Sequence, residues 1–361
     1  MNIGIFGGAF NPPHTGHIQA AVNAAGQYKL DLLIVVPTGT PPHKSLPDIT
    51  PAPEERLLMT QNAFKEFDFI KVSDIEIYSR EKNYMIDTVN LLKSDYPDAS
   101  WFLLVGNDMY DTLDTWKESA ALLKEVTPVL LQRDIINISS SEIRELLPLR
   151  KGKDFLTALN YSYIIKHRLY GAKPDWNWLR ECAHSMLSPL RIPHADACEK
   201  EALQLSARWG ADPDNAREAA ILHDITKKLD FAENMCIIAE HGVVIDKLGS
   251  SEEKLLHSIT GSLLAQSVFG VSEAVANAIK WHTTGRAGMS ILEKIIYIAD
   301  YIESTRVFPG VEELRRKAYN NIDEAMVMGL EITIGDLISR GITPNSSTYE
   351  ALNDLRKQCF A

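Results

Sequence analysis

The sequence predicts an α/β doubly wound parallel sheet followed by an all-α domain. Three observations carry that prediction. The chain has 361 residues, and a single hydrophobic core stops growing near ~250–300 residues, so two domains are expected. Up to Gly171, short β-rich runs alternate with amphipathic stretches, the pattern of a parallel sheet with right-handed helical crossovers. Beyond Gly171 the strand pattern ends and long helical stretches take over. The boundary is placed at Gly171-Ala172-Lys173-Pro174, where Gly and Pro stop one helix and permit another. This gives domains 1–171 and 172–361.

The expected strands are Asn2–Phe6, Leu32–Val36, Ile70–Val72, Trp101–Val105 and Thr127–Leu131. Helical periodicity falls on His17–Ala25, Pro53–Phe64, Tyr84–Lys93 and Ser140–Leu147. In the second half it falls on Asp175–Leu187, Asp196–Trp209, Asn215–Lys227, Glu253–Ser267, Ser272–Trp281, Ile291–Glu303 and Ile322–Ser339. Ligands of doubly wound sheets bind at the carboxyl ends of the strands, which directs attention to the loop after the first strand.

Composition narrows the class. A hydrophobic fraction of 45% and a charged fraction of 24% are those of an ordinary globular chain. No apolar run reaches the ~18 residues of a membrane span. The start, MNIGIFGGAF, enters a strand directly and lacks the basic region and cleavage site of a signal peptide. Four cysteines without a C-x-x-C pair read as reduced structural thiols, so a cytoplasmic protein is expected. A net charge of −11 argues against a nucleic-acid partner, though not against a small anionic substrate.

The first strand runs into Gly7-Gly8-Ala9-Phe10-Asn11-Pro12-Pro13-His14-Thr15-Gly16-His17. Glycines let backbone approach a ligand closely, and a following helix offers free N–H groups and the positive end of its dipole. His14 and His17 lie three residues apart around that helix start. Both can therefore donate to charge developing on one phosphoryl group. Against this, Trp116 alone would as readily be a core aromatic. Lys44 and Arg56 alone would more often be solvated surface charges.

In the second half stand His194, His223-Asp224, His257, His282 and Asp300. Any one helical histidine is usually a satisfied core or surface residue. Asp300 is different, because a carboxylate within Ile298-Ala299-Asp300-Tyr301-Ile302 must be paired or metal-bound. Four imidazoles and two carboxylates from separate helices suit a transition metal in a bundle core. Iron comes first, then manganese, cobalt or zinc. Six side chains exceed one tetrahedral ion and favour two ions or one octahedral ion.

Two resemblances follow from these strings. Gly7–His17 resembles the (H/T)-x-G-H signature of the nucleotidyltransferase superfamily, and Ile138-Ser139-Ser140-Ser141-Glu142-Ile143-Arg144 resembles its I-S-S-T-x-x-R element. Pro41-Pro42-His43-Lys44, Arg56, Asp87-Thr88, Gly106-Asn107-Asp108, Trp116-Lys117 and Tyr163–Gly171 look like nicotinate mononucleotide adenylyltransferase. Residues 1–171 are covered. The resemblance implies a Rossmann-like nucleotidyltransferase domain. In it the mononucleotide's phosphate attacks the α-phosphorus of ATP, with Mg²⁺ bridging the ATP oxygens. It implies catalytic roles for His14, His17, Lys44 and Arg144. Nucleotide binding would fall to Gly7, Gly8, Ala9, Phe10, Arg56, Thr88, Gly106, Asp108, Trp116, Ile138, Ser139 and Ser140. Ser141 stands for the usual threonine, Asn107 for an alanine, and the stretch from Leu131 to Ile138 is short for the family.

The ordered series H…HD…H…H…D resembles the HD superfamily of metal-dependent phosphohydrolases. The strings around His223, His257, His282 and Asp300 look like its symmetrical diadenosine tetraphosphate hydrolases, over roughly 174–340. An all-α HD domain is implied. So are metal ligands His194, His223, Asp224, His257, His282 and Asp300, with Asp224 also catalytic, and cleavage of the tetraphosphate to two ADP. Lys227, Thr283, Thr284 and Arg306 would hold phosphate oxygens. Ile225-Thr226 replaces a bulkier, more aromatic step. The expected partners are ATP, nicotinate mononucleotide and diadenosine tetraphosphate, with neither nucleic acid nor membrane. Nicotinamide mononucleotide or phosphopantetheine as acceptor is the alternative, with a nucleotidase or nucleotide-sensing HD half; oligomeric state stays open.

Overall fold

The computed structural model describes residues 1–41, 46–79, 82–131, 138–244 and 253–360. The chain divides into two compact units, Met1–Asp175 and Trp176–Ala361.

In the first unit the order is β1 (Asn2–Gly8), α1 (Thr15–Gln27), β2 (Leu32–Pro37), α2 (Pro53–Phe64), β3 (Ile70–Val72) and α3 (Met85–Asp95). Then come β4 (Ser100–Val105), α4 (Asn107–Tyr110), α5 (Ser119–Glu125), β5 (Thr127–Leu130), α6 (Ser140–Leu146) and α7 (Ala158–Lys166). All described strand pairings are parallel, in the order β3-β2-β1-β4-β5. The strands are apolar on both faces because helices cover both. In β2, Leu33 and Val35 join one core while Ile34 and Val36 join the other, as a period of two dictates. The chain winds outward from β1 to β3, then returns to place β4 on the other side of β1. The crevice expected at such a reversal lies over the carboxyl ends of β1 and β4. Those ends carry Gly7-Gly8 and Gly106.

The second unit is helical: α8 (Trp176–Met186), α9 (Ile192–Trp209), α10 (Pro213–Leu222), α11 (Phe231–Glu240) and α12 (Leu256–Phe269). It continues with α13 (Glu273–Trp281), α14 (Ile291–Ile302), α15 (Val311–Asn320), α16 (Ile322–Ser339) and α17 (Ser346–Phe360). Side-chain caps start several of them, with Asp212, Ser272 and Ser290 each accepting from a backbone N–H three residues on. Helix α10 is central. Its Ala216, Ala219 and Ala220 are fully buried, and small side chains let α9, α13 and α14 approach it. No helix among the described residues is long and apolar enough to cross a membrane.

The doubly wound sheet and the helical second half are as the sequence predicts. The differences are local. The helix expected over Asn215–Lys227 ends at Leu222, and the chain leaves it in tight turns with Lys227 N donating to Asp224 O (2.8 Å). His223 and Asp224 therefore sit at a helix end, where neighbouring side chains can reach one point. Helices α4, α5, α7, α11, α15 and α17 lie outside the expected helical stretches. Helix α15 buries only Val311, Leu314 and Ala318 of its ten residues, too narrow a stripe to stand out against its charges.

Candidate functional sites

In the first unit a cleft of about 520 Å³ opens over the ends of β1 and β4. Gly7, Gly8, Ala9, Phe10, His14, His17, Gly106, Trp116, Ile138, Ser139, Ser140 and Arg144 all line it. His14 is the N-cap of α1, and its backbone N–H donates to His17 Nδ1 (3.2 Å). Since Nδ1 accepts, the His17 ring carries its proton on Nε2, which makes Nε2 a donor. The two imidazoles lie 3.7 Å apart between ring centroids. Phe10 has a left-handed φ of 45°, and its buried ring packs edge-on against Phe6 and His17. That packing holds a conformation a phenylalanine otherwise avoids.

Several side chains hold the loop between Gly8 and His14 by its carbonyls. Arg56 donates to Ala9 O (2.7 Å) and Gly39 O (3.1 Å). Arg144 donates to Asn11 O (2.6 Å) and Ser141 Oγ (3.0 Å), and Ser140 Oγ donates to Pro12 O (2.8 Å). Tyr170 donates to Asn11 Oδ1 (2.8 Å) from a corner in which Arg168, Tyr170 and Gly171 all have positive φ. The loop is thereby fixed by partners on α2, on α6 and at the Tyr170 corner.

Arg56 and Thr88, expected to touch nucleotide, lie behind the cleft wall. Arg56 is 1% exposed, burial pulls its pKa down, and no carboxylate among the described residues pairs with it. Thr88 donates to Glu76 Oε1 (2.6 Å). Burial raises the Glu76 carboxyl pKa against the hydrogen bonds from Thr88 and Thr38. Glu76 does line the cleft, and sequence reasoning passed it over because a single glutamate in a loop carries no pattern. Lys44 lies outside the described residues, as does the side chain of Asp108.

In the second unit the six expected ligands come together. His194 Nε2 lies 3.3 Å from His223 Nε2 and 3.0 Å from Asp300 Oδ1. His257 Nε2 lies 3.3 Å from His282 Nε2, and Asp224 Oδ1 is 3.3 and 3.5 Å from those two nitrogens. Three triads have ligand atoms within 4.8 Å of one another: His194-His223-Asp224, His223-His282-Asp300 and Asp224-His257-His282.

The other ring nitrogens explain the aim. His223 Nδ1 meets Ala220 O at 2.7 Å, His257 Nδ1 meets Lys254 O at 2.7 Å, and His282 Nδ1 meets Ile279 O at 2.6 Å. His194 Nδ1 meets Glu303 Oε1 at 3.0 Å. Carbonyl and carboxylate oxygens only accept, so each Nδ1 carries the proton and each Nε2 lone pair faces the cluster. Burial drives the His257 pKa down to about 4, so its lone pair is available at neutral pH. Asp224 Oδ1 is buried with no hydrogen bond of acceptable geometry, an expensive state unless a cation supplies the missing partner. The donor set therefore fits a divalent ion of the imidazole-preferring kind.

Cations ring this cluster. Arg306 donates to Asp300 Oδ1 (2.5 Å), and Lys227 Nζ is 2.9 Å from His257 Nε2. Thr283 is spent on Ser258 Oγ (3.4 Å). Two neighbours escaped the sequence reading. Arg191 donates through Nε to Asp224 Oδ2 (2.6 Å), and Glu303 orients His194. Each lies three residues from an expected ligand, Arg191 before His194 and Glu303 after Asp300, just outside the ends of α9 and α14.

Comparison with known proteins divides along the same line. The cytidylyltransferase-like family model matches residues 5–146, and the HD domain model matches residues 191–305. A probable nicotinate-nucleotide adenylyltransferase of Shouchella clausii is 39% identical over 188 residues, covering 47% of this chain and 96% of that protein. The symmetrical bis(5'-nucleosyl)-tetraphosphatase of Bacillus subtilis is 38% identical over 173 residues, covering 48% of this chain and 92% of its own. A solved structure from Clostridium acetobutylicum, described as a predicted HD superfamily hydrolase involved in NAD metabolism, shares 37% identity over 51% of this chain and 97% of its own, with a TM-score of 0.48. The chain thus joins a member of the cytidylyltransferase-like family, similar to proteins described as nicotinate-nucleotide adenylyltransferases, to a member of the HD-domain family.

Proposed function

We propose that the chain is a bifunctional nucleotide enzyme of the cytoplasm. Residues 1–171 would transfer the adenylyl group of ATP to nicotinate mononucleotide, and residues 172–361 would cleave diadenosine tetraphosphate symmetrically. The observation that supports the proposal is that each unit gathers residues of its own that suit phosphate chemistry. One has a propped loop with paired histidines; the other has a cluster of aimed imidazoles ringed by arginine and lysine.

In the first site the acceptor's phosphate oxygen forms a bond to the α-phosphorus of ATP while the α–β bridge breaks and pyrophosphate leaves. Loop N–H groups and the start of α1 receive the phosphates. His17 donates from Nε2, beside His14, to charge growing on the transferred group. Arg144 spends two of its five N–H donors on Asn11 and Ser141, which leaves others for the departing phosphates. Mg²⁺ would arrive with ATP. Trp116 offers a face to the pyridine ring, and Lys44 a charge to its phosphate.

In the second site His194, His223, Asp224, His257, His282 and Asp300 would hold iron, manganese, cobalt or zinc. Such an ion supplies Lewis-acid polarisation and an acidified water. Arg191, Arg306 and Lys227 offset the charge of the phosphate chain and orient it, with Thr283 beside them. One water consumed across the central bridge gives two ADP.

Purified full-length chain tests both halves. With ATP, Mg²⁺ and nicotinate mononucleotide, chromatography should show deamido-NAD and pyrophosphate. Nicotinamide mononucleotide or phosphopantetheine as the better acceptor would overturn the acceptor assignment. With diadenosine tetraphosphate and metal, ADP should be the sole nucleotide product; ATP plus AMP, or no turnover, would sink the hydrolase half. His17→Ala should cut the transfer by ~10²–10³-fold, the usual loss of one oxyanion donor, and leave the hydrolysis intact.

A further inference from the structure

The first unit holds a buried carboxyl group that the transfer itself does not use. Glu76, in the turn after β3, is 3% exposed and lines the cleft. Its Oε1 accepts from Thr88 Oγ1 on α3 (2.6 Å), and it also takes a hydrogen bond from the Thr38 side chain. Three segments, the chain after β2, the turn after β3 and helix α3, thus meet on one carboxyl group. A carboxylate in the wall of a cleft made for phosphates repels its ligand when ionised, so it has to serve some other end.

The surrounding contacts repeat the connection. Asn83, just ahead of α3, accepts from Thr40 N through Oδ1 (3.0 Å), and its own N–H donates to Thr40 O (3.2 Å). Gly39 packs so closely that a Cβ there would run into the carbonyl oxygen of Glu76. The chain after β2 is tied in turn to the central loop, with Thr38 N donating to Gly8 O (2.9 Å). Thr38, Asn83 and Met85 all line the cleft. Met85, the first residue of α3, fills the space over Gly7 that a side chain there would need. This wall stands at the end of β2 and the start of α3. The side chains that serve the ATP phosphates, His17 and Arg144, belong to α1 and α6. The wall is therefore left for the acceptor.

We propose that Glu76 is a positioning residue for the acceptor mononucleotide: by clasping Thr38 and Thr88 it sets the spacing between the chain after β2 and helix α3. The clasp touches neither ATP nor the reacting atoms, so its loss weakens acceptor binding and spares the chemical step. The proposal rests on the transfer reading above, and its test separates the two. With full-length protein, affinity for nicotinate mononucleotide is measured by calorimetry, and KM for each substrate by steady-state transfer. Glu76→Ala strands two hydroxyls and should raise the acceptor's Kd and KM about tenfold, with kcat and the KM for ATP unchanged. Thr88→Val removes one donor and keeps the shape; it should act in the same direction, add little to Glu76→Ala, and carry the test should Glu76→Ala not fold. Glu76→Gln should restore both constants, since its amide still accepts from Thr88 and can donate to Thr38. Tyr78→Ala, exposed in the same turn, should change neither. A KM for ATP that rises as far as the acceptor's, or a lower Tm with the acceptor's constants unmoved, overturns the proposal. Weakened mononucleotide binding in Glu76→Ala and Thr88→Val, with no transfer by the wild type, upholds the clasp while the transfer reading falls.

Discussion

The two sites solve a similar problem with opposite materials. In the first unit the cleft is built on a loop, and the prominent side chains Arg56, Ser140, Arg144 and Tyr170 bond carbonyls that shape it. In the second unit the roles reverse: backbone carbonyls at Ala220, Lys254 and Ile279 orient side chains, and the side chains face the ligand. A loop site is only as good as its props, which come from distant parts of the chain. A side-chain site is as good as its ligands, most of which are aimed by their own turn. Damage should therefore spread differently in the two.

The sharpest way to break the comparison is to remove a ligand. Asp224 takes part in two of the three triads, so Asp224→Asn should lower tetraphosphate hydrolysis by about 10³-fold, some 4 kcal/mol of transition-state stabilisation. Bound metal, measured by elemental analysis, should fall with it. Adenylyl transfer should be untouched; if it falls in parallel, the units are not independent. A milder change removes an orienting group. Glu303→Gln should weaken metal binding by ~10–100-fold, the usual cost of losing a partner behind a ligand histidine, as read by chelator titration. An unchanged affinity would mean that His194 needs no such support. The smallest effect is expected from a prop. Tyr170→Phe leaves Asn11 Oδ1 short of a donor at a cost of ~1–3 kcal/mol. Thermal unfolding of the first unit should drop accordingly, and KM for ATP should rise while the hydrolase keeps its rate. A lower Tm with unaltered KM would make Tyr170 a stabiliser of the fold and not of the loop.

The same contrast explains what could be read in the sequence. Parallel strands buried on both faces give continuous apolar runs, so the sheet was plain from residues such as Leu32–Val36. The six clustered side chains in the second unit were legible because they form an ordered series, H…HD…H…H…D, and because Asp300 sits within an apolar helix. The props were not. Arg56 looks like any charge on an amphipathic helix, and only the fold shows it buried against Ala9 and Gly39. Tyr170 lies more than a hundred and fifty residues from its partner Asn11, and no local pattern announces a contact of that range. Arg191 and Glu303 fall between the cases: each lies near an expected ligand in sequence, but just beyond a helix end, where helical spacing no longer sets where a side chain points.

The Nδ1 contacts of the histidines bear on the order in which the helical unit acquires its centre. His223, His257 and His282 are each turned by a carbonyl three residues earlier, so their aim is settled as soon as their own segment coils. His194 is alone in waiting for a partner more than a hundred residues later, Glu303, at the end of the helix that also brings Asp300. As the polypeptide emerges during synthesis, three donors can stand ready while the first in sequence stays unaimed. Arrival of α14 then delivers a ligand and a guide together, making that helix the latch on the centre's assembly.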